Sequence, residues 1–159
     1  MSTRAIFTPE SAAFPSSNFA ALAQDAQGRM YLAFDAGTSE SCYWTFVAPQ
    51  GLTGPLVAVI TYRAASATTG TAQFNAAVEA ISDGDAVDTD AGSSFDTDNT
   101  PTAVTVPGTA GHIDQVSATL TNNDSIAAAD LCRLRLSRNI ADTAAGDIQV
   151  LAVELRDAA

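Results

Sequence analysis

Tyr43-Trp-Thr-Phe-Val-Ala-Pro-Gln-Gly-Leu-Thr-Gly-Pro55, Leu56-Val-Ala-Val-Ile-Thr-Tyr-Arg63, Ala64-Ala-Ser-Ala-Thr-Thr-Gly70 and Thr71-Ala-Gln-Phe-Asn-Ala-Ala-Val-Glu-Ala-Ile-Ser-Asp-Gly-Asp85 follow one another without a break. Three short apolar runs are separated by Pro/Gly and Ser/Thr/Gly punctuation, the pattern of consecutive strands joined by turns. Leu56, Ala58, Ile60 and Tyr62 share one parity and Val57, Val59, Thr61 and Arg63 the other, so this strand is apolar on both faces and belongs in the centre of a sheet. In the next run Ala72, Phe74, Ala76, Val78 and Ala80 alternate with Thr71, Gln73, Asn75, Ala77 and Glu79, which predicts one buried and one mostly wet face.

Outward from this stretch, further strand-like runs fall at Met30–Asp35, Cys42–Ala48, Thr102–Val106, Gln115–Thr121, Leu131–Ser137 and Asp147–Arg156. With Leu56–Arg63 and Thr71–Ile81 they make about eight strands and no long helix. This predicts an all-β fold, an antiparallel β-sandwich or jelly roll over residues 29–159. Residues 1–28, with Pro9, Pro15 and a Ser/Asn/Ala-rich stretch, read as an N-terminal arm. Ile6, Phe7, Phe14 and Phe19 are poor residues for a freely solvated tail, so they are the candidates for anchoring that arm to a partner.

At 159 residues one domain can remove roughly 70% of its unfolded surface from water without a staple. The formal net charge is −11 and all seven basic residues are arginines. Such a surface repels nucleic acid. Arg133, Arg135 and Arg138 cluster, and pairing with the surplus carboxylates is favoured over phosphate binding. No apolar run approaches a membrane span, and the first thirty residues do not resemble a signal peptide, so synthesis in the cytoplasm is expected.

Chemistry is hard to place on this chain. A nucleophilic triad needs a base, and the single histidine, His112, sits in a Gly-Thr-Ala-Gly-His-Ile turn with no nucleophile elbow nearby. Cys42 and Cys132 have no metal-ligand spacing and read as buried thiols, with one bridge between them left open. Ser82–Thr100 holds Asp83, Asp85, Asp88, Asp90, Asp96 and Asp98 in a connection long enough to be functional or mobile. Asp83–Asp90 suggests calcium, but the register is not that of an EF-hand, and a solvated acidic loop is favoured. No cofactor and no enzymatic activity are therefore expected. Tyr31, Tyr43, Trp44 and Tyr62 suggest a sugar-stacking platform, against which stands the usual role of a strand tryptophan in the core.

The succession Met30-Tyr-Leu-Ala-Phe-Asp-Ala36, Val47-Ala-Pro-Gln-Gly-Leu-Thr-Gly54, Ala64-Ala-Ser-Ala-Thr-Thr-Gly70, Asp83-Gly-Asp85, Val106-Pro-Gly-Thr-Ala-Gly111 and Leu134-Arg-Leu-Ser-Arg138 resembles small structural proteins of tailed bacteriophage virions. That resemblance implies a jelly-roll decoration or cement protein on the capsid exterior, a homotrimer bound to the major capsid protein of the head. It carries over no catalytic residue. The alternative is a carbohydrate- or receptor-binding β-sandwich module of a phage tail, which aromatic side chains exposed on one sheet face would favour.

Overall fold

The structure, a computed structural model, describes residues 2–52 and 54–158. Thr53, inside the turn expected at Gly51–Gly54, lies outside the described residues, as do Met1 and Ala159 at the ends of the expected arm and domain. The chain is an antiparallel β-sandwich of strands β1 (Thr3–Phe7), β2 (Ala21–Gln24), β3 (Met30–Phe34), β4 (Ser41–Val47), β5 (Leu56–Ala64), β6 (Thr71–Ala72), β7 (Phe74–Ile81), β8 (Val104–Thr105), β9 (Ile113–Thr119), β10 (Leu131–Arg138) and β11 (Ile148–Asp157). Each of the eight expected runs overlaps a strand, with ends that differ by one or two residues in several of them. The one read as Thr71–Ile81 divides at Gln73 into β6 and β7.

One sheet runs β2-β3-β11-β5-β9, with β1 also paired on β11; the other runs β4-β10-β7; β6 and β8 form a short ribbon. β5 is central, between β11 and β9, as its two-sided apolar pattern requires. Its inward residues Ala58, Ile60 and Tyr62 enter the core. Its outward Val57 and Val59 are also buried, lying in register with Arg156 and Glu154 on one side and Thr119 and Ser117 on the other. The surface that motivated a trimer is thus covered within a single chain.

The first residues are not an arm. β1 pairs antiparallel with β11, Phe7 opposite Val153 and Ile6 opposite Glu154. β11 bulges between Val150 and Ala152, so β3 takes the edge before the bulge and β1 the same edge after it, while β5 occupies the other edge throughout. Phe7 is buried and stacks on Trp44 with ring centroids 5.6 Å apart, and the Trp44 indole donates to the Thr8 carbonyl at 3.0 Å. Burying a phenylalanine contributes about 2 kcal/mol, enough to hold a five-residue strand that has little apolar periodicity of its own. Residues 13–20 then run along the edge of β4: Ala13 and Tyr43 exchange backbone bonds of 2.8 and 2.9 Å, and Ser41 donates to Asn18 at 2.9 Å. β2 completes the segment by pairing with β3.

The acidic connection is fastened in the same way to the opposite edge of that sheet. Asp96 donates to Val78, and Asn99 and Ala76 exchange backbone bonds of 2.8 and 3.0 Å. The buried Asn99 side chain donates to the Ala76 and Asn122 carbonyls and accepts from the Asn122 amide, tying this edge to the 121–122 turn. The outer face of β7 is accordingly drier than alternation predicts, with Ala77 and Glu79 both buried.

Candidate functional site

The outer face of β4-β10-β7 is a grid fixed by register. Across the three strands, in the order β4, β10, β7, the rows are Val47–Leu131–Ile81, Thr45–Arg133–Glu79, Tyr43–Arg135–Ala77 and Ser41–Ser137–Asn75. Each row follows from the two-residue period of its strands, whose alternate residues, Cys42, Trp44, Val78, Leu134 and Leu136 among them, are committed to the core.

Phe95, carried by the acidic connection, lies over this grid and stacks on Tyr43 with centroids 5.7 Å apart and planes 20° from parallel. The Arg133 guanidinium sits 4.9 Å from the Tyr43 centroid and 5.1 Å from that of Phe95, and Arg135 sits 4.9 Å from Phe95. Arg133 donates to Glu79 at 3.2 Å and Arg135 to Asp98 at 2.9 Å. Each arginine therefore gives one of its five N–H donors to a carboxylate. Both guanidinium side chains are about a third exposed; Arg135–Asp98 is a surface pair of the kind that contributes about 0–1 kcal/mol, whereas the Glu79 partner of Arg133 is buried.

Beside this stack opens a polar cleft of about 210 Å³ lined by Ser39, Ser41, Tyr43, Asn75, Asp98, Arg135 and Ser137. Hydroxyl, amide, carboxylate and guanidinium groups meet there next to an aromatic ring, a combination suited to a polyhydroxylated ligand with an apolar face. Asp98 is held by its bond to Arg135, and the neighbouring Asp96 pins the connection. The Asp124 and Thr97 amides donate to Asp96 and keep its carboxyl below the ordinary range. A larger cleft of about 450 Å³ between residues 98–102 and β9 is lined by hydroxyl and amide groups such as Thr100, Ser117, Thr119 and Asn122 but by no aromatic ring.

The residues singled out in the sequence separate clearly. Of the four candidate platform aromatics, Trp44 and Tyr62 are in the core, Tyr31 lies on the other sheet under Arg63, and Tyr43 alone faces the polar cleft. Of the four arm residues, Phe7 is core and Ile6 is exposed on β1, whereas Phe14 and Phe19 form an exposed edge-on pair with centroids 6.2 Å apart. Phe19 bridges to Ser41, which brings that pair to the border of the same cleft. Arg133 and Arg135 share the outer face as expected, but Arg138 turns inward.

His112 is exposed in its turn. Cys42 and Cys132 are free and buried, and lie out of register, since Cys132 faces Phe46 and Cys42 faces Leu136. Burial raises both thiols, Cys132 to about 12. In the acidic loop Asp85 accepts from the Ser82 amide and Asp88 from the Asp90 amide. Among the described residues no group of three or more His, Cys, Asp or Glu side chains converges to hold a metal. The residue that sequence reasoning missed is Phe95; its one signal is that it is the only aromatic in a connection otherwise built of Asp, Asn, Gly, Ser, Thr and small apolar residues.

No family model and no curated protein matches the chain. Solved structures do match it in fold. A family 35 carbohydrate-binding module from Clostridium thermocellum superposes with a TM-score of 0.56 at 13% identity, over 97% of this chain and 98% of that one. A carbohydrate-binding module specific for non-crystalline cellulose, of family 28, gives 0.56 at 13% identity over 94% and 89%. A module of a Cellvibrio mixtus lichenase, solved with cellotriose, gives 0.51 at 11% identity over 99% and 100%. The chain therefore shares the β-sandwich fold of these carbohydrate-binding modules.

Proposed function

We propose that this protein is a glycan-binding β-sandwich module whose site is the outer face of β4-β10-β7. The observation that carries the reading is the Tyr43–Phe95 stack, held between two incompletely paired arginines and opening onto the polar cleft at Ser41, Asn75 and Asp98. A sugar ring offers an apolar face to an aromatic side chain and a rim of hydroxyls to amide, carboxylate and guanidinium groups. The fold shared with carbohydrate-binding modules supports the same reading at the level of architecture. Binding rather than catalysis is proposed because the carboxylates of this face are engaged, Glu79 by Arg133 and the Ser94 amide and Asp98 by Arg135.

Capsid decoration draws no support from the structure or the comparisons. The segment expected to anchor the chain contributes strands to the sandwich, and the apolar outer face of β5 is already buried. Titration calorimetry against a panel of soluble plant, algal and bacterial polysaccharides tests the function. Saturable binding to at least one polysaccharide, weakened tenfold or more by Tyr43→Ala, is expected. Absence of binding across the panel, or binding indifferent to Tyr43→Ala, would overturn the proposal.

A further inference from the structure

The last row of the grid, Ser41–Ser137–Asn75, continues past the edge of β4. Phe19 bridges Ser41 in parallel: Ser41 donates to the Asn18 carbonyl at 2.9 Å, and Ala20 donates to the Ser41 carbonyl at 3.2 Å. Bridged residues point to the same face, so the Phe19 side chain joins the outer face while Ala20 is buried in the core. Asn18, at φ 51°, takes the left-handed conformation that asparagine tolerates better than most residues and turns the chain back towards β4. The full row is therefore Phe19–Ser41–Ser137–Asn75, with a half-exposed ring at one end. The other end presents hydrogen-bond donors. Asn75 accepts through Oδ1 from the Thr100 hydroxyl at 2.8 Å and from Asn139 Nδ2 at 3.1 Å. Both lone pairs of that oxygen are thereby used, and the two N–H donors of the amide are left for the cleft that Asn75 lines.

Three strand spacings separate Asn75 from Phe19, roughly 14 Å at about 4.8 Å each, more than one sugar ring can cover. Phe95 lies over the neighbouring rows, against Tyr43, Arg133 and Arg135, and leaves this one open as the floor of the polar cleft. We infer that Phe19, braced by Phe14, is a second stacking subsite of the glycan site, so that the ligand is a chain of at least two sugar residues lying across the strands along this row. One sugar takes the Asn75 donors and the Ser137 hydroxyl, and a following one lays its apolar face on Phe19. The T-shaped contact between Phe14 and Phe19 uses one face of the two rings and leaves the others free for stacking. The surroundings select a sugar as the occupant. A wholly apolar partner would cover Ser41 and Ser137 without returning their hydrogen bonds, whereas a sugar ring answers both the aromatic face and the hydroxyl and amide groups in register beside it.

The inference rests on the glycan reading, and the two can fail separately. The test is calorimetry on the full chain with size-fractionated hydrolysates, one to four sugar residues long, of each polysaccharide in the panel. The longer fragments of a bound polysaccharide are expected to bind at least tenfold tighter than its monosaccharide. Phe19→Ser, at an exposed position, should reduce that ratio to less than two, and Phe19→Tyr, which keeps a ring, should preserve it. Asn75→Asp, which removes the amide donors and keeps the shape, should weaken every length by a similar factor. A monosaccharide that binds as tightly as the longer fragments, or a polysaccharide that binds while none of its fragments does, would overturn the second subsite and leave the glycan reading standing. A length preference that survives Phe19→Ser would also overturn it, as would a loss from Asn75→Asp confined to the longer fragments. A dimer by light scattering that Phe19→Ser dissociates would assign the ring to a second copy instead. Absence of binding by every polysaccharide and fragment would remove both readings.

Discussion

Tyr43 and Phe95 stack 5.7 Å apart although one is fixed in a strand and the other comes from the most acidic connection of the chain. The contact accounts for the order of that connection near the sheet. Phe95 lies between two backbone tethers, the Ser94 amide bonded to Glu79 and the Asp96 amide bonded to Val78. A polar loop of this length is held by its few points of contact, here the Phe95 ring, the tethers beside it and the buried Asn99 side chain.

Phe95→Ala is therefore expected to lower stability by about 1–2 kcal/mol, the worth of a partly exposed aromatic pair with its buried area. Limited proteolysis should move to residues 83–95 while circular dichroism keeps its β signature. An unchanged digestion pattern would show that the ring is not the anchor.

Arg138 gives a second, larger expectation. Fully buried, it makes two bonds to Asp142, at 2.8 and 2.9 Å, and donates to the carbonyls of Phe34, Ala144 and Gly146. Removing one partner leaves Asp142 buried and uncompensated, along with carbonyls that have lost their donor. Arg138→Met should cost about 3–5 kcal/mol in urea denaturation. A loss under about 1 kcal/mol would contradict the role assigned to this side chain.

The pH dependence has a named contributor. The Arg29 amide, the Arg63 guanidinium and the Gln27 amide all donate to Asp25 and, against the opposing effect of burial, hold its carboxyl at about 2 instead of 3.8. Because the folded value lies below the unfolded one, the stability it contributes is complete above about pH 4 and is lost as pH falls through about 2. The gap in melting temperature between the wild type and Asp25→Asn should accordingly be widest near neutral pH and close towards pH 2. A gap that does not change with pH would rule the carboxylate out.

Much of the sandwich was legible in the sequence because alternation is a local property. The centrality of β5 follows from Val57 and Val59 facing away from Ile60, and the grid of β10 from Arg133 and Arg135 alternating with Cys132 and Leu134. What was not legible depends on distant partners. β1 is a strand because β11 offers it a free edge beyond a bulge and Trp44 offers Phe7 a stacking partner, and nothing in Thr3–Phe7 announces either. Asn99 reads as one more loop residue until the carbonyls of Ala76 and Asn122 are seen to meet its amide. Arg138 shares the inward parity of Leu134 and Leu136, so its direction follows from alternation, but the Asp142 carboxylate and the carbonyls that accept from it become visible only in the folded chain. The platform was half visible: Tyr43 stood out, but its partner Phe95 lay in the Ser82–Thr100 connection, which the sequence marks only as functional or mobile.

The site itself is tested most directly by nuclear magnetic resonance titration of the ¹⁵N-labelled protein with a bound oligosaccharide. The account predicts that the largest shift changes fall on Ser41, Tyr43, Asn75, Asp98, Arg135 and Ser137 and on Phe95 above them. Changes confined to Thr100, Ser117 and Thr119 in the larger cleft, or to Tyr31 on the opposite sheet, would contradict it.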